Sequence, residues 1–174
     1  AVDHEFVSAG NTYVARTTTG CLCCTAGSDI GSALRELWIS ASTGGISFDR
    51  VIVETTGLAD PAPMVNQLIS GSALELRDRL VASNFEIAGI IALVDVVTGE
   101  LSIESHFEAA KQIAFADRLV LTKADLARDP ASIHDIQRLR SRLSALNPAA
   151  SISDAHDPQV DLASLFRPRI YSPA

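Results

Sequence analysis

All three cysteines of this 174-residue chain fall inside the stretch TTGCLCCTAG, at Cys21, Cys23 and Cys24. Three thiolates so close together suit Zn²⁺ or another soft-tolerant divalent ion, which prefers sulfur and imidazole and often takes three protein ligands when a fourth position must stay open. An open position allows the metal to be handed on. A disulfide framework fits poorly, because the count is odd and a bond between the neighbours Cys23 and Cys24 would close a strained ring. Burial as a small hydrophobe accounts for one cysteine better than for three in a C-x-C-C pattern behind Gly20. Redox chemistry through sulfenic acids or transient disulfides competes, although the C-x-x-C helix-start context of oxidoreductases is missing. In extended backbone Cys21 and Cys23 share a face and Cys24 points away, so chelation by all three requires a turn, for which Gly20 and Gly27 supply freedom.

Two further patterns could do chemistry. In VIVETTG, Glu54 ends an apolar run and Gly57 follows three positions on. A carboxylate there can orient a water on Mg²⁺, and a glycine N–H can meet a terminal phosphate. The bland alternative is a strand followed by an ordinary glycine turn. In LVLTKADL, Thr122, Lys123 and Asp125 occupy the positions of a guanine-reading N-K-x-D loop. A carboxylate at Asp125 accepts from the ring N–H and exocyclic amine of guanine, a donor pair adenine lacks, while the Lys123 stem lies along the base. The bland alternative is a strand-to-helix cap. Thr122 stands where Asn is usual and cannot supply both an amide donor and an acceptor, so weaker or less selective base binding is expected.

These residues need elements to hold them. β-branched and aromatic content marks five strands, NTYVAR, RVIVE, IAGIIALVDV, DRLVLT and ASIS. Three are almost continuously apolar, as parallel strands covered on both faces are. Between them a helix over Asp29 to Ser42 lines Ile30, Leu34, Leu37 and Trp38 along one face. Another begins at DPAPMVNQL with Asp60 as cap and Pro61 in the first turn, a third covers Glu104 to Phe115, and a fourth runs through PASIHDIQRLRSRLSAL to Asn147 and Pro148. The order β-α-β-α-β-α-β implies a doubly wound, mostly parallel α/β sheet. Ligands in such sheets collect at the carboxyl ends of the strands, where Glu54 and the TKAD loop stand.

Composition narrows the partners. The net charge of −7, with only Lys111 and Lys123 as lysines, argues against a groove that tracks nucleic acid. The apolar runs are far too short to span a bilayer. The opening AVDHEFVSAG has neither the basic nor the apolar region of a secretory signal, so a cytoplasmic location is expected.

Taken together, GCLCC, VIVETTGLADPAP, FADRLVLTKADL and LNPAASI resemble the CobW-like GTPases, a P-loop family of metal chaperones with a G-C-x-C-C motif between nucleotide-responsive switch segments. The resemblance runs from about Val2 to Phe166. It implies a P-loop NTPase-like fold, binding of GTP with Mg²⁺, and Zn²⁺ or a similar transition metal at Cys21, Cys23 and Cys24. By the same resemblance VDHEFV is the end of the first switch, Glu54 and Gly57 take the Mg²⁺ and terminal-phosphate positions, and Lys123 and Asp125 read the base. The loop around Ser153 is similar to the last base-contacting segment. His4 would lie in a switch that could approach the metal, whereas His106, His134 and His156 read as surface positions. The family's G-x-x-x-x-G-K-[ST] is missing, since neither lysine follows a glycine. The expectation is a single partial GTPase domain over residues 1–174, with the P-loop segment before Ala1 and the family's smaller domain beyond Ala174. This piece alone is then expected to be inactive.

The expected function of the intact protein is slow GTP hydrolysis coupled to delivery of a metal to a client metalloprotein or cofactor-synthesis enzyme, with neither nucleic acid nor membrane as partner. It is slow because Leu58, after Gly57, cannot orient water. The alternative is a non-enzymatic thiol module that buffers zinc or senses oxidants.

Overall fold

A computed structural model of the chain describes residues 5–9, 12–16, 22–55, 57, 59–63, 65, 76–126 and 129–165. The chain falls into two compact units, Ala1–Glu86 and Ile87–Ala174.

In the first unit, β1 (Glu5–Ala9) and β2 (Thr12–Arg16) pair antiparallel with Val7 opposite Val14. β2 matches the expected strand, but its partner is the segment read as part of a switch, so this pairing departs from the parallel pattern. α1 (Leu22–Ser42) starts seven residues before the expected Asp29. The i, i+4 spacing that joins Ile30 to Leu34 continues back through Ala26 to Leu22, so the helical period absorbs the segment expected to turn around a metal. Its far end is closed by the bonds a left-handed cap makes: Gly44, at φ 78°, donates to the Ala41 carbonyl, and Gly45 donates to that of Ser40. Ile30 and Leu34 are buried with Val81 of α2 (Leu76–Asn84), and Leu37, Val51 and Phe85 pack against them.

RVIVE is not a strand. Residues 51–55 are irregular, and Ile52 and Val53 are 71% and 42% exposed. β-branched residues favour extended backbone, but a strand exists only through pairing, and no ladder partner meets this segment among the described residues. The turn at Asp60 does form: its carboxylate accepts from the Ala62 N–H at 3.0 Å, and the Val65 N–H reaches the Pro61 carbonyl.

The second unit holds a parallel sheet in the order β3 (Ile91–Asp95), β4 (Arg118–Thr122), β5 (Ser151–Asp154). Leu119, Val120 and Leu121 are all buried, which explains why β4 reads as an unbroken apolar run. The crossover from β3 is two helices, α3 (Gly99–Ser105) and α4 (Phe107–Phe115), rather than the single one expected over 104–115. His106 is extended between them. Ile103 and Ile113 both serve the core, yet ten residues on a straight helix would set them about 80° apart, and the break resets the phase. α5 (Pro130–Leu146) has the bounds its sequence marks: Asp129 caps the N–H groups of Ala131 and Ser132, and Pro130 occupies the first turn. Leu139 and Leu143 of α5 close the core over Val94, Leu119 and Leu121. Gly99 sits where a Cβ would come within 3.0 Å of Val94, so α3 starts tight against β3. On the outer surface Arg142 bridges Glu100 and Glu104 at 2.6 and 3.0 Å, and α6 (Leu162–Leu165) follows β5. No helix among the described residues is long and apolar enough to cross a membrane.

Candidate nucleotide-binding site

The carboxyl ends of β3, β4 and β5 come together because the three strands run parallel in register, with Asp95 opposite Thr122 and Leu121 opposite Asp154. Each end carries a polar group. Asp95 closes β3: one carboxylate oxygen accepts from the N–H groups of Val97 and Thr98 at 2.8 and 3.4 Å, and the other takes the Lys123 ammonium at 2.5 Å. Burial works to raise the Asp95 carboxyl, but the Lys123 hydrogen bond, the Val97 N–H and the lysine charge together outweigh it and hold the group below the usual carboxylate range.

β4 ends at Thr122, whose hydroxyl donates to the Val94 carbonyl at 3.4 Å and whose carbonyl accepts from Val96. Lys123 then takes φ 62°, a left-handed conformation a branchless residue adopts more easily. Such strain concentrates where the chain must be re-aimed at a functional site. The next residues form a 3₁₀ turn, Ala124–Leu126, closed by the Leu126 N–H on the Lys123 carbonyl at 3.0 Å. Asp125 is presented on that turn, half exposed. β5 ends at Asp154, and the ladder continues one step past it through the Ala155 N–H and the Leu121 carbonyl at 2.9 Å. Ser153, half-buried, lies opposite Val120 inside the strand.

Thr122, Lys123, Asp125 and Ser153 therefore share one end of one sheet. Asp95 belongs with them, and it was not singled out from the sequence. Its signal was available: a lone carboxylate ending the apolar run IIALVD, at the strand end where ligands collect. An exposed acceptor on Asp125 beside an anchored lysine stem suits a flat heteroaromatic ring with N–H donors along one edge.

The other candidates lie in the first unit. Glu54 and Gly57 are exposed, and a Cβ on Gly57 would meet nothing within 4 Å, so packing does not demand glycine there. Cys23 and Cys24 are consecutive residues in the first turn of α1, while Cys21, like His4 and Leu58, lies outside the described residues. Among the described residues no group of three or more His, Cys, Asp or Glu side chains is placed to hold a metal ion. The donor chemistry of the cysteine pair still fits a metal, because a helix N-terminus favours the thiolate.

Comparison with known proteins is consistent with this geometry. The chain is 31% identical over 166 residues to the zinc chaperone YjiA of Escherichia coli (strain K12), covering 95% of this chain and 48% of that protein. It is 28% identical over 148 residues to the zinc-regulated GTPase metalloprotein activator 1 of Saccharomyces cerevisiae, covering 75% of this chain and 32% of that protein. The crystal structure of Zn(II)-bound YjiA GTPase superimposes with a TM-score of 0.68 at 29% identity, over 96% of this chain and 48% of that one. A Zn(II)-bound triple mutant of the same GTPase, with one glutamate and two consecutive cysteines replaced by alanine, superimposes at 0.66 with 28% identity and the same coverage. The chain thus spans about half the length of YjiA and less of the yeast relative. The fold is that of a P-loop GTPase, and with residues 1–154 matched by the model of the CobW/HypB/UreG nucleotide-binding domain, the chain belongs to that family.

Proposed function

We propose that this chain forms one nucleotide-binding domain of a GTP-hydrolysing metal chaperone, in which the nucleotide state controls capture and delivery of a transition metal, zinc in the first instance. The observation that supports this most is the grouping of Asp95 at the end of one parallel strand with Lys123 and Asp125 at the end of its neighbour, with Lys123 left-handed and tied to Asp95. In this reading Asp125 accepts from the guanine ring N–H and amine, the Lys123 stem covers the base, and Ser153, next to the end of β5, contributes the last contact. Glu54 and Gly57 serve the Mg²⁺-bound water and the terminal phosphate. Leu58 has no group to orient that water, so hydrolysis is slow.

The metal is cargo. Cys21, Cys23 and Cys24 hold it as thiolates, and the start of α1 at Leu22 puts the last two in a first helical turn, where the helix dipole favours that form. The names of the relatives, a zinc chaperone and a zinc-regulated metalloprotein activator, support zinc as the metal and a metalloprotein as client; a cofactor-synthesis enzyme is the other client class this reading admits, and the cytoplasm is the compartment we propose.

The test is a competition titration against a chromogenic zinc chelator, with and without Mg²⁺ and a non-hydrolysable GTP analogue. It compares the full-length protein with its Cys21, Cys23 and Cys24→Ser variant. The analogue is expected to tighten zinc within the range of about 5–150-fold usual for coupled sites, and the variant to lose that coupling while keeping nucleotide binding. Coupling, not zinc content, is the proper readout, because the related triple mutant lacking two consecutive cysteines is itself Zn(II)-bound. Equal zinc affinity with and without nucleotide defeats the switch, and zinc binding with no guanine nucleotide binding at all points to a thiol buffer.

A further inference from the structure

Asp125 already has a partner. The Nε2 of His156 stands 3.0 Å from Asp125 Oδ1, with the two side chains 51% and 52% exposed. Both ends of this contact are set by the backbone. Asp125 is carried on the 3₁₀ turn closed by the Leu126 N–H, and His156 is placed by the Ala155 N–H on the Leu121 carbonyl and by its own N–H on Asp154 Oδ1 at 2.8 Å. The pair lies at the exposed end of the sheet, within reach of a ligand.

An imidazole N–H offered to a carboxylate oxygen is the same kind of donor that a 6-oxopurine offers from its ring nitrogen. We infer that His156 is a specificity-determining residue, a stand-in donor that holds one oxygen of the base-reading carboxylate and lowers both the affinity for guanine nucleotides and their preference over hypoxanthine nucleotides. The inference rests on the proposed role of Asp125. Guanine has two donors on that edge, the ring N–H and the exocyclic amine, and needs both carboxylate oxygens. Hypoxanthine has the ring N–H alone and needs one. With His156 already against Oδ1, Oδ2 serves either base equally, and the second donor of guanine must share Oδ1 with the imidazole or displace it, which weakens its gain. Thr122 adds no compensating contact, since its hydroxyl is turned to the Val94 carbonyl. A half-exposed pair is weak, so the effect tunes the site by no more than about fivefold.

The experiment measures dissociation constants for GTP, ITP and XTP with Mg²⁺ by calorimetry, on the full-length protein and its His156→Ala, His156→Gln and Asp125→Asn variants. Folding of each is checked by circular dichroism. His156→Ala is expected to tighten GTP by about two- to fivefold and leave ITP nearly unchanged, raising the GTP-over-ITP ratio. His156→Gln restores an N–H donor and is expected to remain near wild type. GTP unchanged or weakened in His156→Ala, an equal gain for ITP, or a glutamine variant that matches the alanine one overturns the inference. In any of those cases, if Asp125→Asn still weakens GTP and improves XTP, the assignment of Asp125 as base reader stands and only the role of His156 falls. If the wild type binds no guanine nucleotide, or Asp125→Asn leaves GTP unchanged, the base-reader assignment fails and takes the His156 inference with it.

Discussion

Asn147 ends α5 and is 8% exposed, the one buried polar side chain among the described residues. Its amide donates to the carbonyls of Ile113 and Ala116 at 2.8 Å each, with that of Ala114 at 3.2 Å. Its oxygen accepts from the N–H groups of Ala149 and Ala150 at 3.2 and 3.1 Å. One side chain therefore pins the end of α4 and the entry to β4 against the entry to β5. Replacing it with alanine removes all of these bonds. The Ile113 carbonyl keeps the Ala116 N–H and the Ala150 N–H keeps the Asn147 carbonyl, so those lose only a net bond, about 0.5–1.5 kcal/mol each. The buried Ala116 carbonyl loses the bond that satisfies it, at about 1–3 kcal/mol. Asn147→Ala is then expected to cost about 2–6 kcal/mol, a large share of the roughly 5–15 kcal/mol that stabilises a domain. Asn147→Asp tests the donor half by itself: the accepting oxygen stays, while a carboxylate oxygen faces the three carbonyls. At neutral pH it is expected to be at least as destabilised as the alanine variant. Urea denaturation provides the assay, read as a lower midpoint at unchanged slope. A loss below about 1 kcal/mol for alanine, or an aspartate variant close to wild type, would refute the account of this residue as the clasp between β4 and β5.

Asp95→Asn keeps an oxygen for the Val97 and Thr98 N–H groups but loses the ion pair with Lys123. Because the native carboxyl lies below its ordinary pKa of about 3.9, the stability it lends is complete above that value and disappears as pH falls through the lower native one. The wild-type advantage, less than about 1 kcal/mol at pH 7 given the exposure of Lys123, should vanish in strong acid. Urea midpoints for both proteins across that range check it, and a pH-independent difference contradicts it. For the second remaining prediction, a phosphate-release assay on these 174 residues is expected to show no GTP turnover, since the sequence holds no G-x-x-x-x-G-K-[ST] to clamp the phosphates. Turnover at the rate of a complete relative would rule this out.

What the sequence determined by itself were the elements whose signals are local. α5 could be read because Pro130 in its first turn, its apolar period and the Asn147–Pro148 stop all lie in or beside it, and β4 because burial on both faces leaves a continuous apolar run. Lys123 and Asp125 were legible for the same reason, as a short pattern directly after a strand. The tertiary structure decided whatever depends on a distant partner. RVIVE has the composition of a strand and is not one, since pairing is supplied from elsewhere or not at all. Cys23 and Cys24, in a segment expected to turn around a metal, stand instead in the first turn of a helix whose later residues Ile30 and Leu34 are buried. Asp95 and Lys123 are 28 residues apart, and Asn147 reaches back 31 to 34 residues to its carbonyls, so neither role could be read before the strands were in register. His156 read as an ordinary surface histidine for the same reason: hydrophobic period and capping report on neighbours along the chain, whereas a contact such as that with Asp125 arises only where the fold brings remote backbone together.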